Sequence, residues 1–134
     1  MLLVDSGVLY ALADRDDAWH ARCVEMLRRS RERLLAPVTV LPEVAYLIQT
    51  RLGTRAEQRF ARSVANREFG VESIGDNDWR RCAELMREYE QIGLVDASVV
   101  AIGERLRLRT IATTDRRHFS LVRPRHRDAF ELVP

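Results

Sequence analysis

Not one of the 134 residues is lysine; all 22 basic side chains are arginine. That absence excludes every mechanism built on a catalytic lysine. Cysteine is scarce as well. Cys23 and Cys82 lie in stretches of helical periodicity and lack the paired spacing of a zinc site or a redox motif, which predicts two buried, reduced thiols. Long apolar runs are missing: the longest stretch free of charge is Leu34 to Pro42, well short of the ~18 apolar residues a membrane span needs. Met-Leu-Leu-Val-Asp at the start carries neither a basic leader nor a small-residue cleavage site. A cytoplasmic protein that makes no use of a membrane is expected. Repeats, low-complexity tracts and linkers are also absent.

What is present suits one domain spanning residues 1–134. A chain of this length buries roughly two thirds of the surface its unfolded form exposes, and a hydrophobic content of 46% supplies the core. Basic and acidic residues nearly balance, leaving a net charge of +2. As a single number this argues against a strongly basic nucleic-acid binder.

Leu2, Leu3 and Val4 form an apolar run of the kind a buried strand shows, and Asp5-Ser6-Gly7 turns it into a short helix from Val8 to Ala13. Asp16 and Asp17 open a helix carrying Trp19, Cys23, Met26 and Leu27, closed by a crowd of arginines that suits the helix dipole. Leu34 to Val38 reads as a second strand, and Val44, Leu47, Ile48 and Leu52 mark a helix that Gly53 stops. Thr54-Arg55-Ala56-Glu57 fits a capping box, starting a helix to about Asn66. Phe69, Val71 and Ile74 predict a third strand, and Asp76 can cap the next helix. Further helices are expected over Leu94 to Leu106 and Arg116 to Phe119, with strands over Thr110 to Thr113 and Phe130 to Val133. Strands alternating with helices predict an α/β fold with a central parallel sheet and helices on both faces.

Ligands of such sheets bind beyond the carboxyl ends of the strands. Asp5 closes the first strand and Asp115 follows the strand Thr110 to Thr113, so two central strands would bring both carboxylates to one crevice. Either acid alone reads as a helix N-cap. Glu43, three positions after Val40 and four before Leu47, is expected on the apolar stripe of its helix, where an unpaired polar group costs about 2–7 kcal/mol. Asp96 is the only charge between Gly93 and Ala101. Four carboxylates in one cleft repel each other, and a hard divalent cation is their natural partner. Two such ions would clamp the attacking and leaving oxygens of a phosphodiester, which is nuclease chemistry. Ser6, Thr113 and Thr114 stand beside Asp5 and Asp115 with hydroxyls able to orient a carboxylate or a metal-bound water.

Leu3-Val4-Asp5-Ser6-Gly7, Glu43 on its helix, Leu94-Val95-Asp96-Ala97 and Ile111-Ala112-Thr113-Thr114-Asp115-Arg116-Arg117-His118-Phe119 together resemble the PIN-domain ribonucleases, and among them the VapC toxins of toxin-antitoxin pairs. The resemblance implies a three-layer α/β/α fold with Asp5, Glu43, Asp96 and Asp115 as catalytic acids binding Mg2+ or Mn2+. It implies endoribonuclease hydrolysis of structured RNA such as tRNA or rRNA by a metal-activated water, leaving a 3′ hydroxyl and a 5′ phosphate. A VapB-type antitoxin and a homodimer are the partners it implies. Gly7 departs from the many relatives that carry a second hydroxyl residue there.

The near-neutral balance hides a segment. Residues 105–127 hold eight arginines and one acid, a net of +7 that flanks Asp115 and suits phosphate binding, with Arg116, Arg117 and Arg123 the candidates for RNA contact. His118 shares a helical face with Asp115 but reads as a surface or packing residue, and Trp19, Trp79 and Tyr89 sit at core spacing. A receiver domain or a haloacid-dehalogenase-like phosphatase would need a lysine, and the latter an aspartate where Gly7 stands. A metal-independent toxin ribonuclease and an inactive PIN-like binding module are the other readings; losing one of the four acids would mark the latter.

Overall fold

The computed structural model describes residues 1–134. In chain order the elements are β1 (Leu2–Val4), α1 (Ser6–Ala13), α2 (His20–Arg29), β2 (Leu34–Pro37), α3 (Val40–Leu52), α4 (Thr54–Ala65), β3 (Gly70–Glu72), α5 (Asp76–Glu88), α6 (Leu94–Arg105), β4 (Thr110–Ala112), α7 (Arg116–Leu121) and β5 (Glu131–Val133). The five strands form one sheet in the order β3-β2-β1-β4-β5, and every neighbouring pair is parallel. β1 is central, with Leu3 registered on Leu35 on one side and on Ile111 on the other. Leu2, Leu3 and Val4 are all buried, as a strand covered on both faces requires.

The chain winds outward from β1 through β2 to β3, then crosses back to β4 and outward again to β5. Right-handed crossovers in opposite directions place α1 to α4 on one face and α5 with α6 on the other. The reversal falls between β1 and β4, and the crevice beyond their carboxyl ends is where such sheets bind ligands. α6 is buried continuously from Ala97 to Gly103, which explains its small residues. A Cβ on Gly103 would stand 3.0–3.2 Å from the Phe130 ring and Leu3, so this glycine lets the helix lie close on the sheet. No helix is long and apolar enough to cross a membrane.

Three expectations about helix starts are corrected. α2 begins at His20, and Asp16 and Asp17 lie in the turn before it, where Asp17 Oδ1 accepts the Trp19 amide at 2.8 Å. Thr54 is the first residue of α4 rather than its cap: Gly53, at φ +92°, joins α3 to α4 alone and leaves no extended residue for Thr54 to cap from. Asp76 opens α5 rather than capping it, and the helix start is tied by Asp78, whose Oδ2 accepts the Gly75 amide at 3.0 Å.

Candidate active site

All four candidate acids stand in the cap or first turn of a helix whose N-terminus points into the crevice. Asp5 is the N-cap of α1 and Asp115 the N-cap of α7, while Glu43 and Asp96 lie in the first turns of α3 and α6. Positive helix ends favour carboxylates at these positions. Reading Asp5 and Asp115 as caps and reading them as site residues are therefore compatible: the cap is how the fold holds the acid at the crevice.

Thr113 ties the two central strands' acids together. Fully buried, its Oγ1 donates to Asp5 Oδ2 at 3.0 Å and accepts the Asp115 amide at 2.9 Å. Asp5 also accepts the Ser6 amide on Oδ1 at 2.7 Å. Ser6 turns its hydroxyl to Glu43, donating to Oε1 at 2.6 Å. Glu43 is not on the apolar stripe of α3. That stripe is Val40, Val44 and Ile48, spaced by four, and Glu43 stands one step aside and exposed, held by Ser6 rather than by burial. Thr114 makes no hydrogen bond to an acid; its Oγ1 fills the space where a Cβ on residue 7 would lie, which accounts for Gly7.

His118 is the residue that sequence reasoning set aside. Its backbone N–H donates to Asp115 Oδ1 at 3.0 Å, its ring Nδ1 lies 2.6 Å from Oδ2 of the same carboxylate, and Asp96 Oδ2 is 3.9 Å from that nitrogen. The available signal was its position at N3 of a helix capped by a candidate acid. Together Asp5, Ser6, Glu43, Asp96, Thr114, Asp115 and His118 line a cleft of about 450 Å³.

The charges in this cleft are unbalanced. Burial raises the Asp5 carboxyl above its usual 3.8, against the opposing hydrogen bonds from Ser6 and Thr113, and Glu43 and Asp115 push it further up. Asp96 is pushed up to about 6, by burial first and then by Asp5 and Asp115, with His118 working in the opposite direction. No arginine lines the cleft.

The basic segment does not supply one. Arg105 binds Asp78 and Glu72, Arg109 pairs with Glu131, and Arg125 reaches Glu84 at 2.6 Å. Of the candidates for RNA contact, Arg116 donates to the Pro134 carbonyl, Arg123 pairs with Asp128 at 3.3 Å, and Arg117 is exposed on α7. Four of the eight arginines of the segment, Arg105, Arg109, Arg123 and Arg125, are thus matched by acids outside it.

The chain is similar to known proteins in sequence and in fold. The profile of the PIN domain family matches residues 2–123. Ribonuclease VapC26 of Mycobacterium tuberculosis is 33% identical over 135 residues, covering 99% of this chain and all of that protein. The solved structure of VapC20 from the same organism, described as a sarcin-ricin loop cleaving toxin, superposes with a TM-score of 0.77 at 20% identity, over 83% of this chain and 87% of that one. A toxin-antitoxin complex from Klebsiella pneumoniae gives 0.74 at 19% identity, over 100% and 97% of the two chains.

Proposed function

From the premise that this chain belongs to the PIN domain family, we propose that it is a metal-dependent endoribonuclease, the toxin of a VapBC-type pair, that hydrolyses phosphodiester bonds in structured RNA. The observation that carries the reading is the meeting of Asp5, Glu43, Asp96 and Asp115 in a cleft with no cation of its own. A set of carboxylate oxygens, one of them with its carboxyl pushed up to about 6, fits a hard divalent ion. The four acids would hold Mg2+ or Mn2+. Such an ion, when bound, supplies charge neutralisation on the phosphodiester and acidifies a bound water.

The chain's own residues prepare that chemistry. Thr113 fixes the spacing of Asp5 and Asp115, Ser6 holds the exposed Glu43 inward, and His118 secures Asp115. Pre-oriented carboxylates lose little freedom on binding. Partners proposed with this activity are a VapB-type antitoxin and a second copy of the chain. The complex from Klebsiella pneumoniae supports the former.

The test is incubation of purified protein with cellular RNA, followed by sequencing of 5′ ends, with Mn2+ or Mg2+, with EDTA, and with Asp5→Asn. Cleavage that needs the ion and Asp5 and leaves 5′ phosphates is expected. Cleavage that survives EDTA and leaves a cyclic phosphate would make the protein a metal-free ribonuclease, and absence of cleavage under all conditions would make it a binding module.

A further inference from the structure

His118 is the one nitrogen donor among the oxygen donors of the cleft. The other two histidines are committed elsewhere, His20 Nδ1 to the Ala11 carbonyl and His126 Nε2 to that of Leu108, each at 2.7 Å. One ligand atom from each of Asp96, Asp115 and His118 falls within 4.8 Å of the others. Ligands opposite one another on a small divalent ion stand about 4.2 Å apart, twice a bond of about 2.1 Å. Three atoms with this spread can meet one ion through side-chain rotation. α7 itself stays fixed by the Asp115 cap and by Phe119, which is buried in the core.

A neutral imidazole also answers the charge imbalance. It adds a ligand without adding a fifth negative charge. Coordination through Nδ1 moves the ring proton to Nε2, which makes no hydrogen bond within the protein, so only the bond to Asp115 is exchanged. Nitrogen donors suit first-row transition ions, whereas Mg2+ keeps to oxygen. Resting on the reading that these carboxylates bind a divalent ion, we propose that His118 is a nitrogen ligand to the ion shared by Asp96 and Asp115, and that it tilts the site toward first-row transition ions and away from Mg2+.

Pulsed electron paramagnetic resonance of the full chain loaded with Mn2+ tests this without reference to activity. The spectrum is expected to carry a directly bound 14N coupling that changes to the 15N pattern when histidine is 15N-labelled, a measurement that needs no variant. The coupling is expected to vanish in His118→Asn. In His118→Asp, whose added carboxylate makes the site all-oxygen, the excess of Mg2+ needed to displace Mn2+ is expected to drop about tenfold, the lower end of what altered ligand surroundings produce. Mn2+ that binds, is lost in Asp96→Asn, and shows no nitrogen coupling would overturn the role of His118 and leave the ribonuclease reading intact. Mn2+ that fails to bind, or binds equally well to Asp96→Asn, would overturn both.

Discussion

Ser6 Oγ donates to Glu43 Oε1 at 2.6 Å across 37 positions of sequence, and through it the first turn of α3 is bound to the first turn of α1. The same residue's amide donates to Oδ1 of the N-cap Asp5 at 2.7 Å, so one serine sets two of the four acids. Ser6→Ala keeps the amide bond to Asp5 and removes the short hold on Glu43, together with a longer contact of the hydroxyl to Asp5 Oδ1 at 3.4 Å. Loss of such an orienting contact typically weakens metal binding or activity by about 10- to 100-fold. Titration of Mn2+ into the variant is expected to show weaker binding in that range with an unchanged fold. Wild-type affinity would mean that Glu43 needs no holding.

Asp96 costs the folded protein stability at neutral pH. Its carboxyl rises from 3.8 to about 6 on folding, so the native state binds a proton more tightly than the unfolded chain. Stability therefore falls as pH climbs from about 4 to about 6, and the loss is complete above that window. Two pK units correspond to about 3 kcal/mol, of which the partial exposure of the side chain leaves roughly 2. Without metal at pH 7.5, Asp96→Asn is expected to be about 2 kcal/mol more stable than wild type in urea, with the advantage gone at pH 4 and RNA cleavage abolished. Equal stability of the two proteins at pH 7.5 would show that Asp96 is not held in an unfavourable field.

How much of this was legible in the sequence follows from the range of each interaction. The strands, the helix order and the four acids depend on local patterns: apolar runs, first-turn carboxylates and Gly53. Asp5 and Asp115 were readable as neighbours because a parallel α/β topology brings strand ends together. Glu43 reads as part of the apolar stripe because Val40 and Leu47 stand three and four positions from it; only packing selects Val40, Val44 and Ile48 instead. The charge of the arginine segment is only partly legible for a similar reason. Arg105 meets Asp78 27 positions away and Arg125 meets Glu84 41 away, and a count of charge along the chain cannot see such pairings. His118 was overlooked because an i, i+3 spacing says that two side chains share a face, while its short contact with Asp115 depends on the cap geometry of α7.

The other face of the sheet carries an ion pair that is structural. Arg81 on α5 meets Glu104 on α6 in a bidentate contact, Nε to Oε2 at 2.8 Å and the terminal nitrogen to Oε1 at 2.9 Å, with the side chains 11% and 7% exposed. Arg81→Ala leaves Glu104 buried with only the Arg125 amide for a partner. Breaking a buried pair from one side costs about 3–5 kcal/mol. A loss of unfolding free energy of that size in urea is expected, with a lowered melting temperature and with cleavage per folded molecule unchanged at low temperature. A selective loss of cleavage in protein that is as stable as wild type would instead connect this pair to the cleft.

Gly7 on α1 and Thr114 in the connection between β4 and α7 compete for the space of one side-chain atom. A Cβ at residue 7 would collide with Thr114 Oγ1, the β-branched side chain of the β4–α7 connection. Thr is stiff at χ1, so it yields only by leaving its rotamer or by moving backbone beside Asp115. Gly7→Ser is therefore expected to destabilise the protein by about 1–3 kcal/mol through overpacking, and to weaken Mn2+ binding because Asp115 moves with Thr114. Combining it with Thr114→Ala removes the colliding oxygen and places a hydroxyl on α1 instead. Stability and Mn2+ affinity are both expected to recover in the double variant, giving a favourable coupling energy in a double-mutant cycle. Additive losses would show that the two positions do not compete for the same space, and that Gly7 owes its presence to something other than Thr114.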